Sequence, residues 1–356
     1  MSNPFKGIRA EFHIIQSFPV TCLNRDDVGS PKSVIVGGVN RARVSSQAWK
    51  RSVRLALPEF GIKIATRSKK VEPILKKAIL KAGATEDQSD HCAAVLTKAL
   101  ADDTLLFISD TEIDRLAYFA NENNFDLDEK LSKAFITKLN KAMSGVLDAS
   151  VDSLDIALFG RMVAKVKEMN VEPASSFSHA ITTHKVSNEQ DYFTALDDIS
   201  NEDDSGSSHI GINEYNSGTY YRYVSLDLGV LFDRFVTGDS EHIEDMQTAI
   251  EAFVKALFVA IPVARQNTMS GASSWDYARV LVRKGQRLQI GFDSPVKAAG
   301  SGYSKPSIAV LSETLATKKS LMGSMFGELA DFEWGIDSSF SIDHLIDGLK
   351  EVVTKK

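Results

Sequence analysis

The sequence has 356 residues, 43% hydrophobic and 8% aromatic, with 22 Gly, 9 Pro, two Cys and a formal net charge of −6. At about 150 residues per domain this leaves room for two domains or one core with large insertions, and the composition excludes collagen-like, disordered and coiled-coil chains. No apolar run reaches the roughly 18 residues of a membrane span, and no secretory signal is expected in the charged first dozen residues. Cys22 and Cys92 are too few for a disulfide framework and suit a reducing cytosol, while the acidic total weighs against a nucleic-acid partner.

In chain order, Ile8, Ala10, Phe12 and Ile14 alternate at period two, which predicts a first strand over 8–16. The loop C-L-N-R-D-D-V-G-S-P-K (22–32) leads to a short apolar run and Gly37-Gly38. Ser46 is placed to cap a helix that runs to Leu57 and stops at Pro58. Residues 62–147 read as several helices. The clearest opens at Ser109, with Glu112 completing a capping box and Ile113, Leu116, Ala117 and Ala120 at helical spacing.

The period returns to two at F-S-H-A-I-T-T-H-K-V (177–186). After the acidic I-S-N-E-D-D-S-G-S-S (199–208), residues 209–228 read as a hairpin turning at Asn216-Ser217-Gly218. Ser240 opens an amphipathic helix through Ile243, Met246, Ile250, Phe253 and Leu257, ended by Pro262. Strand character over 277–292 and helices near 306–322 and 341–353 complete the chain. Without the insertions the order is β-α-β-β-α-β, an α+β fold of the ferredoxin-like, RNA-recognition type. About 100 helical residues would then follow the first helix.

The charge is unevenly placed. Residues 1–85 carry 16 Lys or Arg against 5 Asp or Glu, net +11, which leaves −17 for the rest. From Lys32 to Arg54 there are six basic residues and no acid, and from Val186 to Tyr221 eight acids and no Lys or Arg. This asymmetry suggests a basic surface for a polyanion and an acidic surface for something else; two solvated faces are the alternative.

The helix at 46–57 is the most informative segment. Gln47, Lys50, Arg51 and Arg54 fall on one side, with Trp49, Val53 and Ala56 on the other. Lys50 and Arg54 are like charges four apart, a pairing that a bound phosphate chain would relieve. The helix N-terminus beside Ser45 and Ser46 adds free N–H groups, and Arg41 and Arg43 alternate upstream to extend the track. A protein-only scaffold would leave this face without a ligand.

The strings C-L-N-R-D-D (22–27), G-G-V-N-R-A-R-V-S-S-Q-A-W-K-R (37–51) and D-I-A-L-F-G-R-M (155–162) occur in order, followed by H-A-I-T-T-H (179–184), D-Y-F-T-A-L-D-D (191–198) and Y-Y-R-Y (220–223). Together they resemble the CasC family, the backbone subunit of the type I-E CRISPR Cascade complex, within the RAMP superfamily. The matches run to about Leu228; beyond Pro262 only R-Q-N-T (265–268) aligns.

The resemblance implies a hand-like subunit. Its ferredoxin-like palm would be formed by 1–58, 176–190 and 221–356, its helical fingers by 59–175 and its β-hairpin thumb by 191–220. Copies would stack head to tail along one CRISPR RNA in a cytoplasmic antiviral defence complex. Each thumb would fold over the guide held by its neighbour and displace a base at intervals, leaving the others to pair with target DNA. The other implied partners are the large target-recognition subunit, the small subunits, the guide-end capping subunit and the guide-processing endonuclease. No catalysis, cofactor, metal or membrane is implied. Carried over by position, the palm contacts are Asn24, Arg25, Lys32, Ser45, Gln47, Lys50, Arg51 and Arg54. Met162, Phe193 and Thr194 match the positions that wedge against the displaced nucleotide, whose unstacked face suits a sulfur or aromatic partner.

The acidic segment cannot hold RNA by neutralising phosphate. We expect it to dock on the basic N-terminal surface of the next copy, with Asp203 and Asp204 contributing. Tyr215, Tyr220, Tyr221 and Tyr223 either stack on bases or pair across strands. Asp26 and Asp27 supply the enzymatic alternative, because related type III backbone subunits use a loop aspartate for metal-dependent RNA cleavage; paired loop acids are otherwise caps or ion-pair partners. His179 and His184, five apart in a strand, face opposite sides and cannot jointly ligate zinc. His13 on the first strand resembles the histidine of guide-processing endonucleases, but no partner triad accompanies it, and a polar strand residue is the favoured reading. No G-x-S-x-G, P-loop or complete G-x-G-x-x-G is present.

Overall fold

The computed structural model describes residues 3–101, 104–146, 153–195, 209–235, 242–300 and 302–355. Strand β1 (Ile8–Thr21) directs Ile8, Ala10, Phe12 and Ile14 into the main core, and Glu11, His13 and Ile15 on its other face are buried as well. Gly37 and Gly38, both at positive φ, turn β2 (Ser33–Val36) into β3 (Val39–Val44), a hairpin in which left-handed residues match the strand twist. Helix α1 (Ser46–Ala56) is capped one residue earlier than expected: Ser45 Oγ accepts the Ala48 N–H at 3.3 Å. A 3-10 turn containing Pro58 follows and closes at left-handed Gly61.

The insertion comprises β4 (Thr66–Ser68), α2 (Glu72–Lys81), α3 (Glu86–Leu100), β5 (Leu106–Ile108), α4 (Asp110–Glu122), α5 (Lys133–Met143) and α6 (Leu154–Phe159). Leu75, Ile79, Leu96, Leu116, Phe119 and Leu139 share a core separate from that of the main sheet. The capping box at Ser109 and Glu112 forms as expected, and Thr85 with Gln88 builds a second one at α3. The β4–β5 pair was not anticipated, since three-residue strands carry too little alternation to register.

The segment 177–186 forms two short pieces, β6 (Ser175–Phe177) and β7 (Ala180–Thr182). The hairpin is placed differently from the expectation. β8 (Glu189–Ala195) pairs with the first part of β9 (His209–Asp227), which continues through Asn216–Gly218 without turning. Gly218 is there for close packing, because a Cβ on it would sit 2.7 Å from Thr182 Cγ2. The hairpin tip falls outside the described residues, as do Asp203, Asp204 and Ser240.

The chain continues through α7 (Leu228–Phe235), α8 (His242–Val259), α9 (Gln266–Met269), β10 (Tyr277–Lys284), α10 (Ser304–Met322), β11 (Glu328–Trp334) and α11 (Ile342–Thr354). β10 stops at Gly285, short of the expected 292, and the edge strand β11 was missed. The sheet order is β11-β10-β1-β9-β7-β3-β2, with β6 and β8 also on β9. Its centre, β10-β1-β9-β6/β7, is antiparallel throughout and has the ferredoxin-like arrangement.

Helices α1, α8 and α11 cover one face through Val53, Phe253, Leu257 and Leu345. The face that RNA-recognition modules leave open to bases is closed here by Leu311 and Leu315 of α10 and by Ile290, Phe292 and Val296, which pack on Tyr221, Tyr223 and Tyr277 of the sheet. Tyr221 and Tyr223 are therefore core residues, Tyr220 is buried separately with Phe18 and Trp49, and Tyr215 is half-buried, which favours the packing alternative for this cluster.

Candidate nucleic-acid interface

Trp49 and Val53 anchor α1 to the sheet and turn its other side outward. There Gln47, Lys50, Arg51 and Arg54 meet Arg67 of β4, Phe107 of β5 and Phe159 of α6 around a cavity of about 170 Å³. The Arg54 and Arg67 guanidinium groups lie 5.1 and 5.0 Å from the Phe107 ring centre, and Lys50 Nζ lies 6.0 Å from that of Phe177. Arg54 is fixed: its Nε donates to Asp155 Oδ2 at 2.7 Å and its Nη2 to the Ala65 carbonyl. Lys50, Arg51 and Arg67 have no carboxylate partner among the described residues. Burial lowers the Lys50 pKa, a penalty on its charged form that a nearby anion would offset.

Arg67 was missed in the sequence. It lies within the basic string K-I-A-T-R-S-K-K (63–70), but no period relates that string to α1. Asp155, whose role is to orient Arg54, was visible only as part of a family string. Its pKa is raised by burial, opposed by the Ala65 amide and the Arg54 guanidinium.

At the N-terminus of α1 the loop is tied together by its own polar groups. Asn24 Oδ1 accepts the Ser45 N–H at 2.9 Å, and the Lys32 N–H donates to the Asn24 carbonyl at 2.8 Å. Asn24, Lys32, Arg43 and Ser45 are thereby gathered at one place, while Arg25 bridges to Pro31 with its side chain exposed. Arg43 Nη1 reaches His179 Nδ1 at 3.3 Å, and burial with Arg43 and Lys32 lowers the His179 pKa.

Arg41 does not extend the track. It is fully buried and donates to the carbonyls of Thr182, Thr183 and Asp293, where it ties β3 to the sheet. Alternation gave the direction of its side chain but not its depth.

Met162 is 87% exposed, immediately after Arg161, which is buried and paired in bidentate fashion to Glu112 at 2.7 Å through both nitrogens. Glu112 also accepts the Ser109 N–H, so one carboxylate starts α4 and holds the segment that displays Met162. Phe193 lies on β8 opposite Gly211, and its ring occupies the space a Cβ there would need. Thr194 pairs in register with Ile210.

Asp26 Oδ1 accepts the Val28 and Ser30 amides at 3.0 and 2.9 Å, a loop-capping arrangement, and Asp27 is exposed. His13 is buried with Nδ1 2.9 Å from the Tyr221 hydroxyl, and burial brings its pKa down to about 3. His184 Nε2 accepts the Thr219 N–H and its Nδ1 donates to the Lys185 carbonyl, so both ring nitrogens serve the fold. No helix among the described residues is long and apolar enough to cross a membrane.

The antiparallel sheet, the helical insertion with its own core and the hairpin drawn from β8 and β9 define an α+β protein with the fold of RAMP-like subunits of CRISPR surveillance complexes. A chain of a pre-nicking CRISPR RNA-guided surveillance complex matches with a TM-score of 0.77 and 25% identity, covering 97% of this chain and 100% of that one. A chain of another CRISPR RNA-guided surveillance complex matches at 0.62 and 23%, over 97% and 99%. The chain belongs to the CT1975-like protein family, whose model matches residues 10–338. No curated protein matches the sequence.

Proposed function

We propose that this chain is a CasC-type backbone subunit of a type I-E Cascade complex, which binds CRISPR RNA without cleaving it and polymerises head to tail along the guide. The observation that carries the reading is the α1 cavity. Three cations that have no carboxylate partner among the described residues converge there beside aromatic rings, an arrangement suited to the phosphates and bases of single-stranded RNA. Asn24, Arg25, Lys32 and Ser45 would continue that contact at the start of α1, with Arg54 held in place by Asp155. Met162, exposed just after Arg161, and Phe193, exposed on β8, would wedge against the displaced nucleotide, with Thr194 carried over from the same resemblance.

Target DNA would be reached through the guide, and the remaining Cascade subunits would be neighbours in the assembly. The test is filter binding of guide RNA over a salt series. Replacing Lys50, Arg51 and Arg67 together by Ala should make the log–log salt slope shallower by about 0.7 per lost phosphate contact. An unchanged slope would overturn the reading.

A further inference from the structure

A second basic cluster lies across β6 from the flank of α1. Phe177, whose ring faces Lys50, is followed back along β6 by Ser176, whose Oγ accepts a hydrogen bond from Arg287 Nη1. Arg287 lies just past the end of β10 and, with Gly7, Arg9, Lys284, Gly285 and Gln286, lines an open notch of about 700 Å³. That volume is within the range of small-ligand sites, large enough for nucleotide-sized groups.

The floor of the notch is backbone. Gly7 and Gly285 are both at positive φ, and the Gly285 N–H donates to the Gly7 carbonyl at 3.2 Å. A Cβ on Gly7 would meet nothing within 4 Å, so its backbone conformation and not packing calls for glycine, and the space above it is open. Arg9 is held by Asp227 at 3.0 Å and by the Gly285 carbonyl. Lys284 and Arg287 are exposed and have no carboxylate partner among the described residues. Three cations thus stand against one acid, at the end of the sheet opposite the loop that holds Asn24 and Lys32.

We infer that this notch is a second phosphodiester-binding site, joined to the α1 cavity across β6 by Arg287, and that it takes phosphates of the same guide strand. The inference rests on the RNA-binding reading above and lengthens the path that one subunit grips. The test uses the assembled complex with Lys284→Ala and Arg287→Ala combined, compared with Lys50→Ala and Arg51→Ala combined. Guide affinity is measured over a salt series, with and without complementary target DNA.

The notch variant should make the guide slope shallower by about 1.4, two contacts' worth, with an unchanged melting temperature. An unchanged guide slope in the notch variant, with a shallower one in the α1 variant, overturns this inference alone. An effect seen only when target DNA is present also overturns it, and assigns the notch to the target strand. If neither variant alters guide binding, the RNA-binding reading falls as well.

Discussion

The interior of this protein and the flank of α1 use the same kind of side chain in opposite ways. Inside, Arg283 and Glu11 pair at 2.5 Å with 1% of each side chain exposed, and Arg161 is clasped by Glu112. Arg222 lies 3.6 Å from the Trp49 ring centre, and burial pulls its guanidinium down to about 9. On the flank, Lys50, Arg51 and Arg67 face a cavity and have no acid to neutralise them among the described residues. The comparison teaches that a count of basic residues measures two things at once. Cations enclosed in the interior cannot also bind a polyanion, and those at the rim without an acid partner contribute most to a ligand's salt dependence.

The largest effect expected from this contrast is on stability. Arg161→Ala leaves Glu112 buried without its partner and should cost about 3–5 kcal/mol in denaturant unfolding. A loss below about 1 kcal/mol would mean that the interior pair can be dispensed with like a surface one.

Acid provides the next test. The folded His13 imidazole stays neutral down to about pH 3, whereas the unfolded one takes a proton near 6.5. The unfolded state therefore binds more protons, and stability should fall by about 1.4 kcal/mol per pH unit below 6.5. Urea unfolding at pH 7 and pH 5 should show that loss in the parent and a flatter profile in His13→Gln.

At the rim the order of effects reverses. Lys50→Ala with Arg51→Ala should move stability by no more than about 0.5 kcal/mol while lowering the RNA salt slope by about 1.4. If melting shifted and the slope did not, the flank would be structural and the contrast would dissolve. The smallest expectation is a null one. With magnesium and bound target RNA, parent and Asp27→Ala should both leave the RNA intact; cleavage by the parent that the variant abolishes would replace the non-catalytic reading with the loop-aspartate one.

Much of this was legible in the sequence where a local rule decides the outcome. Ser109 and Glu112 announce a capping box and form one. The outward face of α1 follows from its spacing. Elsewhere the deciding contact is distant in the chain. Asn216-Ser217-Gly218 has the composition of a turn, yet Gly218 is small because Thr182 crosses it. Arg41 shares the alternation of Arg43 but is enclosed by Thr182, Thr183 and Asp293, which only the assembled sheet brings near. Arg67 joins the α1 cavity from another element for the same reason, and no periodicity could have linked them.

β9 pairs with β1 from Asn216 to Asp227 and with β8 from His209 to Tyr215 in a single 19-residue strand, about 60 Å at about 3.3 Å per residue. The paired part of the hairpin, as far as Ala195 and His209, is thus a cantilever built into the same beam as the core, and it moves only as far as the sheet bends. Length along that beam also sets orientation. One extra residue at the junction near Asn216 would leave both ends paired and turn the arm over, exchanging the side that carries Phe193 for the one that carries Tyr192 and Ile212, while two would lengthen it and restore its facing.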